Sequence, residues 1–101
     1  MLDALHIIPL KMKAWLDLTE KRAQGEIHVN DRDLRKHRQD VFRLFQLISE
    51  ESRIAAPAAV HADILAFIQR MRDTEVDLKS IGISRDKNSI LDILSRIYTE
   101  E

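Results

Sequence analysis

Apolar positions recur every three or four residues through most of the chain, the spacing of helices that bury one face. From about residue 8 to 23, Ile8, Met12, Trp15, Leu16 and Thr19 share one side at about 100° per residue. Pro9 suits an early helical position, and Gly25, preceded by Lys21 and Arg22, suits the helix end. A second helix is predicted over residues 31–51, with Asn30 as N-cap, Asp31 and Asp33 in the first turn, and Leu34, Val41, Leu44, Phe45 and Ile48 as the stripe. Phe42 falls off that stripe and is expected at the surface, in reach of a partner. The third helix, residues 57–73, opens at Pro57 and carries Val60, Ile64, Phe67, Ile68 and Met71. Residues 75–84 are too short and mixed for a helix and read as a loop with room for a short extended piece. The fourth helix, residues 86–99, is capped by Ser84 or Asp86 and turns Ile90, Ile93, Leu94, Ile97 and Tyr98 inward. Helices of this length do not persist alone in water, so they must pack on each other. The expectation is an all-α fold, a small bundle of about four amphipathic helices in one domain over residues 1–101.

Composition narrows this further. With 101 residues, 45% hydrophobic and 33% charged, the chain supports one modest core and is too apolar for a disordered tail. Two Gly and two Pro are too few for the turns of a sandwich or barrel. The absence of Cys excludes disulfides and thiolate metal sites. No apolar run approaches the roughly 18 residues of a membrane span. Asp3 and His6, with no basic segment ahead of them, do not read as a signal peptide, so a cytoplasmic location is expected.

Net charge is −1, with nine basic against seven acidic residues over 1–47 and seven against ten over 48–101. The densest basic stretch, Arg32, Arg35, Lys36, Arg38 and Arg43, is interrupted by Asp33 and Asp40 and reads as a solvated helix face. That balance argues against nucleic acid as a partner.

The informative residues are charged ones at the margin of an apolar face. Lys13 and Asp17 form an ordinary i, i+4 surface pair. Lys11 instead projects between Leu18 and Trp15, beside the buried stripe, where an ammonium reaches for water or a carboxylate. Asp33, His37 and Asp40 follow i, i+4, i+7 spacing on the second helix, flanked by Lys36. Two readings of this strip stand side by side. In the structural one, Asp33 serves the helix N-terminus, His37 is an ordinary core-edge histidine, Asp40 pairs with Lys36 or Arg43, and Lys11 bridges to Asp33 or Asp40. In the functional one, Lys11 and the strip border a site for an anionic ligand. His6, His28, His37 and His61 share no ligand spacing, so no metal site is expected. There is neither a nucleophile elbow nor a glycine-rich phosphate loop, and so no complete catalytic set. Trp15 and Phe45, at helical spacing, are expected in the core.

Two stretches, Leu10-Lys11-Met12-Lys13-Ala14-Trp15-Leu16-Asp17-Leu18 and Asp31 through Leu44 with its Asp33-Leu34-Arg35-Lys36-His37-Arg38-Gln39-Asp40 string, carry a family resemblance. At this separation they resemble the C-terminal helical half of AbiEii-type nucleotidyltransferases, toxin-like enzymes of bacterial abortive-infection systems. The similarity covers roughly residues 7–48, and Leu78-Lys79-Ser80-Ile81-Gly82-Ile83 adds a weaker match. The resemblance implies an N-terminal α/β palm whose Gly-Ser motif and carboxylates hold Mg²⁺ and a nucleoside triphosphate. It also implies a helical region whose Lys-x-x-Ala motif, here Lys11 and Ala14, and downstream acidic helix, here best matched by Asp33, close the nucleotide site. On that reading Lys11 neutralises phosphate charge or orients a carboxylate. Asp33 holds Lys11 or an adjoining loop, with Lys36, His37 and Asp40 in the same string. No Gly-Ser followed by an Asp-x-Asp pair occurs in this sequence. The expectation is therefore a helical half that is inactive alone and binds no cofactor by itself. It would meet Mg²⁺ and nucleotide only with a palm domain, or self-associate through the face the palm would cover. The alternative is a protein-interaction module with no nucleotide role.

Overall fold

The computed structural model describes residues 3–25 and 29–101; His28, considered above as a ligand, lies outside the described residues. The first helix, α1, runs Ala4–Ala23, starting four residues earlier than the sequence suggested because Asp3 caps it by accepting from the His6 backbone N–H. Pro9 therefore sits inside the helix rather than at its start. A proline there has no N–H for the carbonyl four residues back, which is that of Leu5. The Tyr98 hydroxyl takes the place of the missing donor, at 2.6 Å from the Leu5 oxygen. Gly25, at φ 87°, supplies the left-handed residue just beyond the end of α1.

The second helix, α2, covers Asp31–Phe45, with the Asn30 side chain accepting from the Arg32 N–H. It ends six residues short of the expected Glu51. The N–H groups of Gln46, Leu47 and Ile48 bond carbonyls only three residues back, tightening the last turn. Residues 49–53 are then tied up in local turns, with Ser49 accepting from the Glu51 N–H and Arg53 donating to the Glu50 and Ser52 carbonyls. This turn delivers the chain to a short strand, β1, Ile54–Ala56.

The third helix, α3, covers Ala58–Arg72 after Pro57, close to the expected span. The 73–86 segment is irregular, as expected, but its one regular piece is a 3₁₀ turn at Lys79–Ile81 rather than an extended one. Leu78 and Ile83 anchor it in the core, and Gly82 at φ 80° turns the chain. The last helix, α4, spans Lys87–Ile97; Asp86, not Ser84, caps it by accepting from the Ser89 N–H. It ends two residues early, and Tyr98–Glu100 form β2. β1 and β2 pair in parallel, Ile54 opposite Tyr98 and Ala56 opposite Glu100, so the two strands close a crossover containing α3 and α4.

The fold is all-α apart from this strand pair, a small helical bundle. α1 packs on α2 and α3, and α3 on α4. One continuous core joins Ile8, Met12 and Trp15 of α1, Val41 and Phe45 of α2, Ile64, Phe67 and Met71 of α3, and Ile90, Leu94 and Ile97 of α4. The edge of the Trp15 ring meets Phe67 at 5.5 Å between centroids, an edge-to-face pair. Phe42, expected at the surface, is fully buried. The buried arc of α2 takes in Val41, Phe42 and Phe45, so it is wider than the stripe read from spacing. Polar ties lock the ends: Arg72 pairs with Asp92 at 2.7 Å, and the Lys87 ammonium donates to the Thr74 carbonyl at 2.7 Å just beyond the end of α3. Glu50 pairs with Arg85, which also lies over the Phe45 ring. No helix among the described residues is long and apolar enough to cross a membrane.

Candidate functional site

α1 and α2 run antiparallel, as the ion pairs at both ends of their contact show. Arg22 reaches Asp31 near the connecting loop. Eleven residues back along α1, Lys11 Nζ sits 3.2 Å from Asp40 Oδ2. The inward-leaning ammonium thus meets the acidic strip, and of the two carboxylates open to it the partner is Asp40. The pair lies at the edge of the seam: 30% of the Lys11 side chain and 19% of that of Asp40 remain exposed. Arg43 Nη1 stands 3.7 Å from the other Asp40 oxygen, so one carboxylate carries two cations. That leaves a local excess of positive charge at a partly open seam, the arrangement that suits an incoming anion.

The other members of the strip are placed differently. Asp33 lies two turns before Asp40, roughly 10 Å along the axis at 1.5 Å per residue. It is exposed and makes no ion pair among the described residues. Lys36 is exposed and likewise unpaired among them. His37 is half-buried, and its Nδ1 is enclosed with no hydrogen-bond partner. The site brings together Lys11, Asp40 and Arg43, while Asp33 and Lys36 stand in solvent on α2. Lys13, as expected, pairs with Asp17 at 3.8 Å, and it also reaches Asp63 of α3 at 3.9 Å.

A second set of charged residues was legible in the sequence only as a basic stretch. Arg35, Arg38 and Gln39 of α2 face Glu75, Val76, Asp77 and Ser80 across a groove of about 790 Å³, with Lys87 at its side. A smaller hollow on the α1 side of the same two arginines is lined by Trp15, Thr19, Arg22 and Asp31. Arg38 Nε is enclosed without a hydrogen-bond partner. Loss of hydration, and then the charge of Arg35, hold the Arg38 guanidinium below the usual arginine range. No group of three or more His, Asp or Glu side chains capable of holding a metal ion comes together among the described residues.

Comparison with protein-family models, with curated proteins and with solved structures finds no match to this chain.

Proposed function

We propose that the α1–α2 seam is the helical side of a nucleotide site in a nucleotidyltransferase-like protein, with Lys11 directed at the phosphates. The observation that carries this reading is the Lys11 ammonium itself, fixed by Asp40 at 3.2 Å and still open to solvent over about a third of its side chain. Lys13, by contrast, is 60% exposed and its carboxylate partners stand at 3.8 and 3.9 Å. Support for the class comes from the Leu10–Leu18 and Asp31–Leu44 stretches, whose resemblance to the AbiEii-type enzymes runs through Lys11, Ala14, Asp33 and Asp40. On this reading the metal carboxylates belong to a palm domain outside these residues, and the chain by itself transfers nothing. Phosphate oxygens arriving at the seam would meet Lys11 and Arg43, with Asp40 holding both cations in place.

The test is a titration with ATP and Mg²⁺, followed by calorimetry, of the full chain combined with a nucleotidyltransferase palm domain, with the chain alone as the reference. Saturable binding, weakened about tenfold or more in Lys11→Met as expected for losing one charged hydrogen bond, fits the proposal. Absence of binding, or binding indifferent to Lys11, rejects it.

A second reading is favoured by the closure of the Lys11–Asp40–Arg43 set upon itself and by the exposure of Leu10 at 56% and Leu47 at 75%. Here the seam is a structural bridge and the bundle is an interaction or self-association module. Light scattering separates the two. A concentration-dependent mass that falls in a Leu10→Ser, Leu47→Ser variant, with no nucleotide binding, selects the module.

A further inference from the structure

We infer that the groove between α2 and residues 75–80 is a phosphate-binding site, where Arg35 and Arg38 grip a single phosphate group. It lies on a different side of α2 from the Lys11–Asp40 pair and does not depend on a role for that pair. Three observations converge on it.

The first is the lack of partners. Ion pairs occupy Arg22, Arg43, Arg72 and Arg85, and the Lys87 ammonium is taken by the Thr74 and Arg72 carbonyls. Arg35 and Arg38 make no ion pair among the described residues, although they stand one helical turn apart and line one groove. The second is the state of Arg38. Its Nε is shut away from solvent with no acceptor, at a cost expected for any buried unmatched donor. Arg38 lines the groove, and its terminal nitrogens are not among the buried atoms left without a partner. An acceptor in the groove would offset the repulsion between the two guanidiniums. The third is the shape and sign of the opposite wall. Glu75 and Asp77 face the arginines from the loop. They repel a continuous phosphodiester strand running the length of the groove more than a single small phosphate group held against α2. Two planar forks presented from adjacent turns match the several oxygens of a phosphate better than the two of a carboxylate.

The shared chemistry is a phosphate monoester or free inorganic phosphate. The experiment uses the full chain labelled with ¹⁵N-arginine. The Nε–H signals of Arg35 and Arg38 are followed while sodium phosphate is added at constant ionic strength, and again with adenosine monophosphate. Saturable movement of the Arg38 signal is expected, with affinity reduced about tenfold or more in Arg38→Gln and unchanged in Lys13→Met. Arg35→Gln, at an exposed position that does not endanger folding, is expected to weaken binding as well. Tighter binding of the nucleotide than of phosphate assigns the group to a nucleotide, and equal binding assigns it to phosphate alone. Arginine signals that move no more with phosphate than with chloride overturn the inference, as does binding lost in Lys11→Met and kept in both arginine variants.

Discussion

Tyr98 and Pro9 form the most informative pair of single residues. A proline in the second turn of α1 strips the Leu5 carbonyl of its helical donor, and the hydroxyl of a residue from the other end of the chain takes over. Burial and, secondarily, the charge of Asp3 hold the Tyr98 hydroxyl in its protonated, donating form well above the usual tyrosine range. Tyr98→Phe is expected to cost about 1–3 kcal/mol in urea unfolding, because it leaves a partly buried carbonyl unmatched. In a Pro9→Ala background the backbone can supply its own donor, so the same change should cost clearly less; an equal cost in both backgrounds contradicts the pairing. Neither half of this pair could be joined from the sequence, since Pro9 read as a helix opener and Tyr98 as one more inward residue. Asp3 gives a second check. The His6 ring nitrogen at 2.7 Å, and then the His6 backbone N–H, hold its carboxyl below the usual range. A lowered native value stabilises the fold above the ordinary carboxylate range, and that contribution disappears as pH falls through the native value. Asp3→Asn is therefore expected to flatten the acid limb of the melting temperature measured from about pH 6 to about pH 2.

The helices were legible because each repeats its apolar residues over several turns, and the caps at Asn30 and Asp86 were visible as Asx residues just ahead of those repeats. Asn30→Ala should lower stability by about 1 kcal/mol, read by thermal unfolding. The strands were not legible. Three residues carry no period, and β1 finds its partner across an intervening pair of helices. The demand of that pairing also explains why α2 and α4 stop before their apolar patterns do: Ile48 and Tyr98 stay packed on the core while their backbones leave the helix. Phe42 was misplaced for a different reason, because a single-stripe picture assumes one neighbour and α2 buries a broader arc. Phe42→Ala should cost about 3–5 kcal/mol, the range for deleting a fully enclosed aromatic ring; a cost under about 1 kcal/mol would return Phe42 to the surface.

For the molecule as a whole, the sequence showed that an ammonium on α1 leans toward an acidic strip on α2, but not which carboxylate it meets. Register between two helices is a tertiary property, set by how their apolar residues share one core, and here it selects Asp40 over Asp33. The groove at Arg35 and Arg38 was invisible for the same reason: its far wall comes from residues 75–80, whose position only the fold defines. The central claim is that Lys11, and not its exposed neighbour Lys13, receives the phosphates of a nucleotide. It is tested most directly by following the side-chain methylene signals of both lysines in the full chain, combined with a nucleotidyltransferase palm domain, as ATP and Mg²⁺ are added. Saturable movement of the Lys11 signal with Lys13 unmoved is the predicted result; a stationary Lys11, or equal drift of the two, would contradict it.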